Sequence, residues 1–320
     1  MYEKFYGFKE KPFNITPDPK FVYLSENHKE ALAHLKYAIK EEKGFTVITG
    51  EVGTGKTTLV HTLLNKIDGN VRTAYIFNPV MDPDDFLNYI CEDLGLKSDG
   101  VKSRGQNLTL LHNFLLTCYT QNERVFLIID EAQSLDTKLL EEVRLLTNLE
   151  TSKNKLLHVI LLGQPELNKT LADERFRALK QRVSVRYHLN TLNFADTREY
   201  ILFRMKRAGA RNLSVFDEGA IKAIYKYSKG IPRLINILCD NALLTGFSRE
   251  EDRIGKSIIQ EVIKDLEGSH AIKKSKLLPI LLIIFILFLC AGIILILLFP
   301  EHSEIWNFKA WSINKWFIHQ

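Results

Sequence analysis

The chain has 320 residues, with 43 Lys and Arg against 38 Asp and Glu. Five Lys and two Glu fall in residues 271–320, so the rest is near neutral, with 38 basic against 36 acidic residues, and lacks the footprint of a nucleic-acid binder. Cys91, Cys118, Cys239 and Cys290 are scattered, with no C-x-x-C and no His cluster, which excludes a disulfide framework and a zinc site and fits a reduced compartment.

Residues 1–26 are rich in Phe, Tyr and Pro, too apolar for a disordered tail, and read as irregular chain packed across a domain. A helix is expected over residues 27–40. Residues 45–49 form a buried apolar strand, followed by Gly50-Glu51-Val52-Gly53-Thr54-Gly55-Lys56-Thr57 and a helix over 56–67. This is the G-x-x-x-x-G-K-[ST] pattern in its proper strand-to-helix setting. Its glycines let backbone N–H groups surround phosphate oxygens, Lys56 reaches the β/γ-phosphates, and the Thr57 hydroxyl can ligate Mg²⁺. Thr58 continues the helix whose N-terminus favours the anion. The ligand implied is a nucleoside triphosphate, taken to be ATP, with Mg²⁺.

A second strand is expected over 72–78, then a helix over 83–94 opened by acids, a loop over 95–106 and a helix over 108–120. Residues 125–130 read as a buried parallel strand that ends in Asp130-Glu131. Acids at such a strand end face the crevice where open α/β sheets bind ligands. Asp130 is the expected Mg²⁺ carboxylate, and Glu131 the group that polarises the attacking water. A helix over 137–149, a fourth strand over 156–163 and a helix over 171–180 follow. From residue 191 strands stop, and helices are expected over 196–208, 217–228, 231–247 and 256–266. The alternation predicts a three-layer αβα core with a mainly parallel sheet, residues 1–190, and a helical lid, residues 191–268.

Residues 269–276 form a basic linker. Residues 277–299 carry no charge, and at ~1.5 Å per residue they span roughly 34 Å, enough for one transmembrane helix. Lys273, Lys274 and Lys276 before it, against Lys309 and Lys315 beyond Glu301 and Glu304 after it, place residues 1–276 in the cytoplasm by the positive-inside rule, as does a nucleotide enzyme's need for cytosolic ATP. Residues 300–320 read as a short Trp-bearing helix lying at the far interface, with a partner-binding helix as the alternative.

The motifs FYGFKEKPFNITPDPKFVYLSENHKEALAHLKYAI, GFTVITGEVGTGKTTL, LIIDEAQ, EEVRLLTNLET, LLGQPEL, LKQRV and GIPRLINILCDNAL together resemble the GspA/ExeA type of AAA+ ATPase over roughly residues 2–265. That resemblance implies an inner-membrane ATPase linked to envelope secretion or polysaccharide-export machinery. It also implies that Gln164 is a sensor placing the attacking water and that Arg182 is an arginine finger acting in a neighbouring copy, with Arg175 and Arg177 as alternatives. By the same resemblance, Arg233 is the second sensor, reaching nucleotide from the lid, and Asn27 and His28 approach the adenine. GspA-type proteins often carry a peptidoglycan-binding module beyond the membrane; residues 300–320 are too short for one, so that partner is not expected. The partners expected are further copies of the chain, the membrane and envelope proteins. Transposition ATPases share a looser likeness, but the near-neutral charge and the apolar segment argue against nucleic acid. A nucleotide switch that scaffolds a complex with little turnover is the other alternative.

Overall fold

The computed structural model describes residues 1–16, 18–41, 43–67, 70–96 and 103–268. Met1–Lys264 form one compact unit and Asp265–Gln320 a second, of which only residues 265–268 are described. The expected membrane segment and tail lie outside the described residues. Among those described, no helix is long and apolar enough to cross a membrane.

The chain opens with a short helix, α1 (Tyr2–Phe5), and a 3-10 turn at Pro19–Phe21. Then come α2 (Glu26–Lys40), β1 (Phe45–Gly50), α3 (Lys56–Leu64), β2 (Val71–Ile76), α4 (Pro83–Asp93), α5 (Arg104–Thr120), β3 (Arg124–Ile129), α6 (Thr137–Leu146) and β4 (Leu157–Gly163). These follow the expected order with small shifts at the ends. Helix α5 starts four residues earlier than expected, because Ser103 and Gln106 form a reciprocal capping box. The helix expected over 171–180 is two helices, α7 (Glu166–Ala172) and α8 (Arg177–Arg182), separated by Asp173, whose side chain caps a 3-10 turn. A fifth strand follows, β5 (Val185–Leu189).

The five strands lie in the order β2-β3-β4-β1-β5, and every pairing is parallel. Strands β1 and β4 are buried throughout, and β3 except at Arg124, as expected of parallel strands covered on both faces. Alternate residues feed two cores. Ile48, Phe126, Ile160 and Leu162 pack with α2 and α3, whereas Val47, Leu127, Val159 and Leu161 pack with α4 through α8. The chain leaves β1 through α3, crosses to the far edge at β2, and returns through β3 and β4. The carboxyl ends of β1, β3 and β4 therefore stand side by side.

The part expected as a lid comprises α9 (Phe194–Arg207), α10 (Glu218–Ser228), α11 (Pro232–Ser248) and α12 (Lys256–Gly268), and residues to Lys264 belong to the same compact unit as the sheet. Asn193 and Asp217 cap α9 and α10 through their side chains. The N-terminal segment is a strap tied to this lid. Tyr2 donates to Asp240, Tyr6 Oη to the Glu251 carbonyl at 2.9 Å, and buried Arg204 to the carbonyls of Pro12 and Asn14 at 2.6 and 3.1 Å.

Candidate functional site: a phosphate loop beneath a strap and lid

A cleft of about 820 Å³ runs between the carboxyl edge of the sheet, the strap and the lid, within the range usual for small-molecule sites. Residues 52–58, Asp130 and Glu131 line it on the sheet side; Phe21, Tyr23, Tyr200 and Arg233 line it on the other.

The loop after β1 fits a chain of phosphates. Gly53 and Gly55 have φ of +81° and +98°, the left-handed region that a side chain disfavours. A Cβ on Gly53 would stand 2.6 Å from Arg233 Cβ. No side chain caps α3, so its first-turn amides would suit an anion. Lys56 is buried, and its Nζ donates to the carbonyls of Gly50 and Glu51 at 2.8 and 3.1 Å. Burial lowers its pKa, against the opposing pull of Glu131, Asp130 and Glu51. Gly50 and Glu51 thus hold the lysine through backbone oxygens rather than lining the cleft.

Beside it, Thr57 Oγ1 donates to Asp130 Oδ2 at 2.6 Å. Asp130 also accepts from Tyr75 Oη at 3.0 Å and from the Glu131 amide at 2.9 Å. A hydroxyl and a carboxylate side by side suit Mg²⁺, which takes few protein ligands and keeps waters and phosphate oxygens. Tyr75 was not among the residues the sequence singled out. In sequence it is one aromatic in a strand, and only the β2-β3 register brings its hydroxyl to Asp130.

Glu131 adopts φ 50° and ψ 37°, the left-handed region uncommon for a residue with a side chain. Its Oε2 accepts from Gln164 Nε2 at 3.4 Å, so the structure brings these two together. Arg233 lies in the first turn of α11, and its amide donates to the Gly53 carbonyl at 3.4 Å. Of the two residues expected near the base, His28 lines the cleft, whereas Asn27 does not. His28 Nε2 lies 3.2 Å from the Thr54 carbonyl and Nδ1 2.7 Å from Ser25 Oγ. A carbonyl only accepts, so Nε2 carries the proton and Nδ1 accepts from Ser25. Burial lowers the His28 pKa and favours this neutral form. His28 therefore braces the phosphate loop from below.

Arg182 does not line this cleft. Its Nη1 donates to Thr147 Oγ1 at 2.7 Å and to the Arg144 carbonyl at 3.3 Å, at the C-terminal end of α6. Arg175 pairs with Asp173, and Arg177 is exposed.

An AAA domain family matches residues 39–171. General secretion pathway protein A of Aeromonas hydrophila is 44% identical over 270 residues, which are 84% of this chain and 49% of that protein, so the chain spans about half its relative's length. Among solved structures, the ORC2 protein of Aeropyrum pernix matches with a TM-score of 0.61 at 16% identity, over 81% of this chain and 72% of its own. Cdc6p of Pyrobaculum aerophilum matches with a TM-score of 0.61 at 16% identity, over 78% and 71%. The RuvB Holliday junction branch migration motor of Thermotoga maritima matches with a TM-score of 0.52 at 19% identity, over 76% and 69%. At such identities these structures speak for the fold alone. With its parallel sheet, phosphate loop and helical lid, the chain belongs to the AAA-domain P-loop proteins of the general secretion pathway protein A type.

Proposed function

We propose that the protein binds Mg²⁺-ATP in this cleft and hydrolyses it to drive or regulate an envelope secretion or polysaccharide-export machine. The observation that carries the hydrolytic reading is the meeting of Glu131 with Gln164, beside the Thr57–Asp130 pair, at neighbouring strand ends. The loop amides and Lys56 hold the phosphates. Mg²⁺, bound by Thr57 and Asp130, supplies charge compensation at the phosphoryl oxygens when present. Gln164 orients a water, and Glu131 takes its proton as the new P–O bond forms and the bond to the bridging oxygen breaks. Arg233 approaches the phosphates from the lid. Arg182 serves a neighbouring copy. The overall change is ATP and water to ADP and phosphate.

The experiment is a pair of variants. Lys56→Ala should lose nucleotide binding, because Lys56 offsets phosphate charge in the ground state. Glu131→Gln should bind as wild type and stop releasing phosphate. Wild-type turnover in Glu131→Gln would overturn the assignment.

The 44% identity with a general secretion pathway protein over 84% of the chain supports the link to envelope assembly. The uncharged residues 277–299 support a single-pass anchor in a bacterial inner membrane, with the ATPase in the cytoplasm. Release of the full chain from membranes by alkaline carbonate would contradict that anchor.

A further inference from the structure

At the tips of β3 and β4 one side chain joins two groups that the proposed reaction uses. Gln133 lies two residues beyond Glu131, in the 3-10 turn Ala132–Ser134. Its Nε2 donates to Glu131 Oε2 at 2.6 Å, and its Oε1 accepts the backbone N–H of Gln164 at 2.9 Å. The amide fits only this way round. Reversed, its NH₂ would face an N–H and its oxygen would face a carboxylate. Room for the bridge comes from Gly163, where a Cβ would stand 3.2 Å from Gln133 Oε1 and 2.8 Å from Leu167 Cδ2.

The chemistry explains why such a bridge matters. A glutamate side chain has three rotatable bonds, and a base works only within hydrogen-bond reach of its proton. The bond from Gln133 to Oε2 is charge-assisted, hence strong and directional. It holds one oxygen of Glu131 and leaves Oε1 to accept from water, since each carboxylate oxygen has its own lone pairs. The other end of the amide ties this arrangement to the backbone of the water-placing residue on the next strand.

We propose that Gln133 is a positioning residue for hydrolysis. It sets the rotamer of Glu131 and keeps it in register with Gln164. This rests on the hydrolytic reading above.

Two variants of similar length test it. Gln133→Met loses both hydrogen bonds. Gln133→Glu keeps an acceptor for the Gln164 amide but sets a carboxylate against Glu131. Both should lower kcat about tenfold or more, as expected when a general base is misplaced, with affinity for a fluorescent ATP analogue within about twofold of wild type. In nucleotide-free protein, hydrogen exchange at the Gln164 amide should quicken in Gln133→Met and stay slow in Gln133→Glu. If Gln133 only ties two strand tips together, Gln133→Glu will keep the wild-type kcat, and the proposal falls. It falls equally if affinity drops as much as kcat, because Gln133 then shapes the whole site. A wild-type protein that releases no phosphate overturns the hydrolytic reading and this inference with it. Wild-type turnover matched by both variants overturns this inference alone.

Discussion

The sheet-side wall of the cleft takes its polar groups from the carboxyl ends of a run of parallel strands, and each is held by another within a few residues or one or two strands away. Thr57 meets Asp130 at 2.6 Å, Gln133 meets Glu131 at 2.6 Å, and Lys56 meets Gly50 at 2.8 Å. Apart from Arg233 and Asn236, the opposite wall is built mainly on aromatic rings and one buried cation, fastened between segments far apart in sequence. Arg204 reaches back 192 residues to the Pro12 carbonyl and lies 4.9 Å from the Phe21 ring centre. The first wall carries the groups that the proposed chemistry uses, and the second keeps strap and lid together. Damage to the first should therefore appear in rates and to the second in stability.

The largest expected effect tests whether these two walls suffice. If a third contribution comes from a neighbouring copy, Arg182→Ala should bind nucleotide normally and turn over about 10³-fold more slowly, the lower end of what an arginine finger supplies. Mixing it with Lys56→Ala, whose arginine is intact, should restore some turnover to the Arg182→Ala subunits. To serve a neighbour, Arg182 must leave Thr147 and the Arg144 carbonyl. Unchanged turnover with a lowered Tm would make Arg182 a cap on α6 and shift attention to exposed Arg177.

The second prediction addresses the other wall. Arg204→Met removes bonds to two carbonyls and to Tyr200 Oη and leaves the Pro12 carbonyl buried without that partner. Losing charge-assisted bonds and leaving partners unpaired should cost roughly 3 kcal/mol. For a unit of this size that is a Tm drop of roughly 6–12 °C. Per folded molecule, kcat should change far less than in Glu131→Gln. A large loss of kcat with an unchanged Tm would reverse the assignment of the two walls.

The same division explains what the sequence disclosed. The phosphate loop and Asp130-Glu131 are local patterns, legible because each needs particular residues next to one another. Tyr75 and Gln133 are not, since their roles depend on β2 lying beside β3 and β3 beside β4. Strand β5 did leave a signal, with Val185, Tyr187 and Leu189 alternating with Arg186 and His188, the pattern of a half-exposed edge strand. Its five residues beside α8 were too short to stand out. The start of α5 was also written locally, in Ser103 and Gln106, but lay within a stretch whose Gly, Ser and Lys read as loop. The strap's aromatics announced packing without saying against what. Nothing near Pro12 or Asn14 in sequence points to Arg204.

A third prediction tests, by pH, the sheet that carries the first wall. His158, on β4, is 6% exposed and stacked on Phe126 at 5.1 Å, and burial, aided by Arg124, pushes its pKa down to about 4. The unfolded chain binds a proton there near the ordinary 6.5, the folded chain only near 4. Stability is therefore full above about pH 6.5, falls as pH drops, and has lost roughly 3 kcal/mol from this group below about pH 4. Denaturant titrations at pH 7.5 and 4.5 should show most of that loss in wild type and less in His158→Gln. What remains belongs to His28, which shifts the same way, and to the carboxylates. Arg204 keeps its charge throughout this range. An equal acid loss in both proteins would mean that the sheet does not hold His158 neutral.

The smallest effect probes the far end of the strap. Tyr6 Oη donates to the Glu251 carbonyl at 2.9 Å, and its ring packs edge-on against Phe5 at 4.8 Å. Tyr6→Phe removes the hydroxyl and keeps the ring, so only one neutral hydrogen bond is lost, worth about 1 kcal/mol net. That corresponds to a Tm lower by roughly 2–4 °C. Tyr6 is not among the residues that line the cleft. If the strap acts as a fastening and not as a relay, affinity for nucleotide and kcat should match wild type once the folded fraction is equal. The double variant with Arg204→Met is the sharper measurement. Two fastenings at separate points on one strap should add within about 0.5 kcal/mol if each holds its own stretch. They should lose less together than apart if Arg204→Met already frees the whole segment, because a bond at a detached end no longer contributes.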